Sequence, residues 1–139
     1  MAYHERNENG RIRIGRAVIE SVSVRVIDSF EGRILPSNPK GRLKRAGAAK
    51  GEEDVGFVRA RIREGKIDVK LYLITQFGTS LRESAKLLAD RIREEFPIQT
   101  GIDVGLVTMV FVGTLSEKLS KRKIVFVDDG ESCEISEDE

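Results

Sequence analysis

One cysteine and one histidine are all that this 139-residue chain offers of the side chains most used for nucleophilic and metal chemistry, and they stand near opposite ends. Cys133 lies in an acidic segment with no second thiol to pair with, so a disulfide framework is excluded and a reducing, cytoplasmic setting is expected. His4 sits in a polar N-terminal stretch, which leaves no Ser/His/Asp or Cys/His arrangement to build. Zinc would need clustered cysteine and histidine, and one of each in opposite terminal segments does not supply that. Long apolar runs are also missing. None approaches the ~20 residues of a membrane span, and Met1 to Glu8 lacks the apolar segment of a signal peptide. Any association with a membrane is therefore expected to go through a partner.

Two further absences concern phosphate and calcium. Gly41, Gly47 and Gly51 lie among cations, but five residues separate Gly41 from Gly47, and Ala48-Ala49 follows where a phosphate-cradling loop needs Lys and Ser or Thr. The acidic C-terminus lacks the spaced ligands and central glycine of a calcium loop. Aromatic residues are only 6 % of the chain, which weakens a base-stacking, single-strand nucleic-acid reading. No catalytic, cofactor-binding or metal-binding residue is assigned, and the chain is expected not to be an enzyme.

What is present is charge, and it is segregated. Lys and Arg number 24 against 23 Asp and Glu, close to neutral overall. Residues 36–54 run from Pro36 through Lys40, Arg42, Lys44, Arg45 and Lys50, rich in Gly, Pro and cations, and read as a basic loop. Residues 128–139 are acidic, with Ile135 their main apolar residue, and read as a disordered tail. The length suits one domain able to bury a real core. The expected layout is a flexible N-terminus over 1–9, a folded domain over 10–127 and the acidic tail over 128–139.

Within the domain the hydrophobic periods are firm. Val58, Ala60 and Ile62 alternate with Arg59, Arg61 and Arg63; after Glu64-Gly65, Ile67, Val69, Leu71 and Leu73 alternate with Asp68, Lys70 and Tyr72. A two-residue loop at Glu64-Gly65 sets Ile62 opposite Ile67, Ala60 opposite Val69, Val58 opposite Leu71 and Arg61 opposite Asp68, so every inward pair is apolar. Phe77-Gly78 ends this hairpin. Thr79 or Ser80 can cap a helix in which Leu81, Ala85, Leu88, Ile92 and Phe96 face inward while Arg82, Lys86, Asp90, Arg93 and Glu94 face away. Pro97 is expected to end that helix, and Thr100-Gly101 to turn the chain into a strand over 102–112. In that strand Gly105 is well placed for a bulge that turns Val107, Met109 and Phe111 inward. Val110 and Val112 would then need cover, either from 124–127 or from another subunit. The segment 17–30 is ambiguous: Val22, Val24 and Val26 alternate as a strand would, yet Val18, Val22, Val26 and Phe30 form an i, i+4 stripe.

Gly10, Ile12, Ile14, Val18, Ile19, Val22, Gly32, Gly78, Leu81, Glu83, Ala85, Thr100, Gly101, Val104, Val107 and Gly113 fall close to the spacings of a known pattern. Across residues 10–119 the chain resembles the alkaline shock protein 23 family of bacterial envelope stress response proteins. The resemblance implies helix rather than strand for 16–30. It also implies a non-enzymatic cytoplasmic scaffold that self-associates at the inner face of the membrane, held there by a membrane-embedded anchor protein. Some relatives of that kind associate with fatty-acid kinase components. The expected architecture is a single α+β domain of order β-α-β-β-α-β, with two helices packed on one face of a mainly antiparallel sheet. This connection order is shared with ferredoxin-like folds. Two surfaces are candidates for function. Arg42, Lys44, Arg45, Arg59, Arg61, Arg63 and Lys70 form an anion or partner surface able to take nucleic acid or anionic lipid. Val110 and Val112 form the candidate self-association surface.

Overall fold

The computed structural model describes residues 2–7, 10–37, 57–76, 78–115 and 119–136. Strands β1 (Ala2–Asn7) and β2 (Gly10–Gly15) make an antiparallel pair, with Tyr3 opposite Ile14 and Glu5 opposite Ile12. Within the stretch expected to be flexible, residues 2–7 therefore form a strand. Pairing satisfies the main-chain donors and acceptors of a polar segment, a gain that residue composition does not register.

Helix α1 (Arg16–Asp28) resolves the ambiguous segment, as the resemblance implied. Its helical phase buries Ile19, Val22, Val26 and Ile27 on one face. Burying such side chains is worth ~1.5–3 kcal/mol each, whereas the β-branched helix penalty is ~0.7 kcal/mol or less per residue. The tertiary term wins. The buried face is rotated from the expected stripe, since Val18 is 41 % exposed and Ile19 takes its place. Glu31 and Gly32, both at positive φ, then turn the chain toward the sheet.

Strands β3 (Ile34–Pro36) and β4 (Val58–Arg63) both lie on one side of β5 (Lys66–Gln76), β3 against its C-terminal half and β4 against its N-terminal half. The β4–β5 register is the expected one at Ile62/Ile67, Ala60/Val69, Val58/Leu71 and Arg61/Asp68. Residues 38–56, which hold most of the basic loop, lie outside the described residues.

Helix α2 (Leu81–Thr100) starts on Ser80, whose hydroxyl accepts from the Glu83 backbone N–H. It does not stop at Pro97. A proline lacks one N–H and so forfeits one intrahelical bond, but here the last turn closes around it. The Thr100 hydroxyl donates to the Phe96 carbonyl at 2.7 Å, and the N–H of Gly101, in the left-handed conformation, caps the Pro97 carbonyl at 2.8 Å.

Strand β6 (Val104–Leu115) pairs in parallel with β5, and α2 is the crossover that a parallel pair requires. Strands β7 (Leu119–Asp128) and β8 (Cys133–Ser136) follow, each antiparallel to its predecessor. The six-stranded sheet has β3 and β4 at one edge, then β5, β6, β7 and β8. The fold is thus α+β with one mostly antiparallel main sheet. Because β1 and β2 pair only with each other, the ferredoxin-like arrangement is not adopted.

Both helices cover the same face of this sheet. Ile19, Val22, Val26, Ala85, Leu88, Ile92 and Phe96 share one core with Ile67, Val69, Leu71, Leu73, Val107, Met109 and Phe111. Phe126 of β7 completes it, edge-on to Phe111 with ring centres 5.9 Å apart. The register shift between Ile67 and Val69 places the expected bulge at Gly105-Leu106, and Val107, Met109 and Phe111 do point to the helices.

The opposite face corrects two expectations. Val110 and Val112 are 0 % and 8 % exposed within the single chain, in a second cluster with Tyr72, Ile74 and Val125. They are not a free self-association patch. Part of their packing comes from 124–127, as one of the two alternatives had it: β7 runs beside β6, sets Val125 opposite Val110, and Val127 packs against the same cluster. The acidic C-terminus is also corrected over 128–136. Asp128 ends β7 fully buried, and β8 pairs with β7 through Cys133 opposite Asp128. The signal is the β-branched run Ile124-Val125 and Val127, which builds a strand long enough to template a neighbour.

Candidate functional site

The β4–β5 hairpin presents its polar alternation on the face away from the helices, because Val58, Ala60 and Ile62 spend the other face on the core. Arg59, Arg61 and Arg63 therefore stand in one row, and the structure brings Lys70 and Tyr72 beside them. The Arg59 guanidinium lies 5.4 Å from the Tyr72 ring centre and the Lys70 ammonium 5.6 Å from it. Tyr72 is buried beneath these cations, so its ring is not presented for base stacking. Arg42, Lys44 and Arg45 lie outside the described residues.

The three arginines are not equivalent. Arg63 donates through Nε to Asp68 Oδ2 at 2.7 Å and through Nη2 to Oδ1 at 3.3 Å, with Glu64 3.7 Å away. The Asp68 hydrogen bond, joined by the charges of Asp68 and Glu64, holds Arg63 above its ordinary pKa. Arg61 reaches the same carboxylate only at 3.8 Å, and its side chain is 74 % exposed. Burial pushes the Asp68 carboxyl up, but the hydrogen bonds from Arg63 and from the Leu106 backbone N–H, with the charges of Arg63 and Arg61, outweigh it and leave Asp68 below the usual carboxylate range. Arg63 is a structural strut, and Arg59 and Arg61 are the cations turned outward.

Asp68 also explains Gly105. The carboxylate enters the bulge to accept from Leu106 N–H at 2.9 Å, and a Cβ on residue 105 would stand 2.4 Å from Asp68 Oδ1. Here glycine is required by close approach rather than by an unusual φ.

A second polar cluster was missed by the sequence reading, which set Arg93 on the outward side of α2. Arg93 instead reaches under the end of the sheet. Its Nε donates to Asp128 Oδ1 at 2.8 Å, Nη1 to the Val104 carbonyl at 2.9 Å, and Nη2 to the carbonyls of Gly105 and Asp128 at 2.6 and 2.8 Å. Asp128 Oδ1 also accepts from the Gly130 N–H at 2.9 Å, and Lys86 approaches Oδ2 at 3.5 Å. The hydrogen bond to Asp90, reinforced by the charge of Asp128, raises the Lys86 pKa. This cluster locks α2 to the β6 bulge and to the β7–β8 turn. Burial, with the charge of Asp128, pushes the nearby Cys133 thiol up, so it is held in its protonated form.

Between the helices, a groove of about 260 Å³ is lined by Arg25, Val26, Ser29, Arg91, Glu94 and Glu95. Arg91 occupies one wall, stacked 4.6 Å over Phe30 and bonded to the Ser29 hydroxyl and carbonyl. Among the described residues no three or more His, Cys, Asp or Glu side chains gather as metal ligands, and no helix is long and apolar enough to cross a membrane. No protein family, no curated protein and no solved structure matches this chain.

Proposed function

We propose that this chain is a non-enzymatic scaffold or interaction protein of the envelope stress response kind, which self-associates and is recruited to the membrane by a membrane-embedded partner. The observation that carries this reading is the agreement between the fold's turning points and the residues of the alkaline shock resemblance. Gly32, Gly78 and Gly101, three of the glycines at the family spacings, adopt φ of 86°, 89° and 75°, values that favour glycine. Gly32 follows the first helix, Gly78 the hairpin and Gly101 the second helix, with the final strands after it. Fatty-acid kinase components belong to the same proposal as a second class of partner. The test is the mass in solution by light scattering, from ~10 µM to ~1 mM protein at low and high salt, a span over which weak assemblies form. A mass that grows with concentration is expected. A strict monomer throughout overturns self-association.

A second reading is favoured by one specific observation, the outward cations of the hairpin. Arg59 and Lys70 flank Tyr72 and Arg61 is exposed, so the face can take phosphate oxygens of nucleic acid or of anionic lipid. With Tyr72 covered, such binding is to charge and not to bases. Binding of RNA, DNA or anionic vesicles that fails to weaken with salt, or that survives replacement of Arg59 and Arg61, removes this reading.

A further inference from the structure

We infer that the groove between α1 and α2 binds a small zwitterion, an amino acid or dipeptide, with its carboxylate on Arg91 and Arg25 and its ammonium on Glu94 and Glu95. Neither self-association nor the hairpin arginines enter into it.

Arg91 carries the inference. Its Nη1 donates to the Ser29 carbonyl at 3.3 Å and to the Ser29 hydroxyl, which itself donates to the Val26 carbonyl at the end of α1. Its guanidinium carbon lies 4.6 Å from the ring centre of Phe30, a residue only 1 % exposed. These contacts hold the side chain in place and use Nη1. Among the described residues, Nε and Nη2 have no partner. That edge carries the two parallel N–H groups with which an arginine grips a carboxylate bidentately. The ordering that such a grip requires is already complete in the folded chain.

The rest of the lining decides what else the ligand must carry. Arg25, one turn back from Ser29 on α1, shares the groove with Glu94 and Glu95, three and four residues after Arg91 on α2. Among the described residues, no ion pair joins any of these four side chains to a partner. Two cations and two anions thus line one cavity without neutralising each other. A plain carboxylate entering it meets the repulsion of Glu94 and Glu95, and a plain amine meets that of the arginines. A molecule with both charges satisfies both walls. Arg91 and Glu95 are half-buried while Arg25 and Glu94 are exposed, so the first two are less screened and dominate the contact. The volume of about 260 Å³ lies below the ~300–1,000 Å³ of drug-sized sites and matches roughly nine waters at ~30 Å³ each. The ligand is therefore small.

Titration of the full chain, followed by backbone amide NMR shifts, tests this with four probes: glycylglycine, glycine, acetate and ethylammonium. Glycylglycine or glycine should shift the amides of 25–29 and 91–95 saturably, with a Kd of ~1–10 mM for so few heavy atoms. Acetate and ethylammonium should bind about tenfold more weakly or worse. Arg91→Lys keeps the charge but loses the fork, and should weaken glycylglycine binding about tenfold. Circular dichroism and thermal melts check its folding, and Arg25→Gln, at an exposed position, is the milder variant, expected to weaken binding severalfold. Glu94→Gln with Glu95→Gln should abolish the preference, acetate then binding as tightly as glycylglycine. No saturable shift up to ~100 mM of either zwitterion overturns the site. Acetate that equals glycylglycine on the wild type overturns the zwitterion and leaves a simple anion site. Shifts centred on the β4–β5 hairpin, or binding unchanged in both arginine variants, overturn the groove as the place of binding.

Discussion

Replacing Asp128 by alanine should be the most damaging single polar change in this protein. The carboxylate is fully buried, and its removal takes from Arg93 its only carboxylate partner within hydrogen-bonding distance among the described residues. Arg93 keeps the carbonyls of Val104, Gly105 and residue 128, so its donors are not all orphaned, but the carboxylate bonded to it is gone and only the more distant charge of Asp129 still acts on it among the described residues. Removing one partner of a buried ion pair costs ~3–5 kcal/mol. The Arg93 side chain keeps 20 % of its exposure, which argues for the low end, ~3 kcal/mol. The Gly130 N–H loses its acceptor as well. At ~2–4 °C per kcal/mol for a chain near this size, the melting temperature should fall by roughly 6–12 °C. With a urea m-value of ~2 kcal/mol/M, the midpoint should fall by about 1.5 M. Equilibrium urea unfolding followed by far-UV circular dichroism measures it. A loss under ~1 kcal/mol would mean that water solvates Arg93 once the carboxylate is gone, and the lock described above would be refuted.

Gly105→Ala should destabilise by about 1–3 kcal/mol, because the new Cβ displaces Asp68 and leaves the Leu106 N–H without its acceptor; an unchanged urea midpoint would show that the bulge adjusts freely. Ser23→Ala should stabilise by about 1 kcal/mol, since among the described residues the Ser23 hydroxyl is the buried side-chain group without a hydrogen-bond partner; a loss of stability would reveal a partner for it. Acid should unfold the protein partly through Asp68. Its folded pKa lies below the ordinary 3.8, so its contribution is present above that value and is lost as pH falls through the folded one. Asp68→Asn should flatten the decline of the urea midpoint below pH ~4, and an equally steep decline in the variant would assign the acid transition to other carboxylates.

The β4–β5 hairpin was legible residue by residue because a period of two leaves one register in which every inward pair is apolar, and a slip by one residue would bury arginines. The α2 face was legible for the same reason at a period of 3.6. Arg93 was not, since outward and inward positions near a helix C-terminus differ by what the neighbouring strand offers, and Asp128 lies 35 residues away in sequence. The candidate arginine row was readable as a set, but its division into the strut Arg63 and the outward Arg59 and Arg61 depended on where Asp68 falls relative to the bulge. Val110 and Val112 were legible as needing cover but not as to its source, because an apolar alternation on both sides of a strand shows that two faces are covered without saying by what.

The pattern of residues by itself determined the β4–β5 hairpin and its register, the buried face of α2, the inward row of β6 and the shortage of thiol and imidazole. Those follow from local periodicity, turn chemistry and inventory, which involve residues close in sequence. Only the tertiary structure decided that α1 is a helix buried through Ile19, that residues 2–7 and 133–136 are strands, and that Arg93 and Asp128 form a buried pair. Each of these depends on contacts between segments far apart in the chain, where burial and strand pairing outweigh the local preferences that a sequence displays.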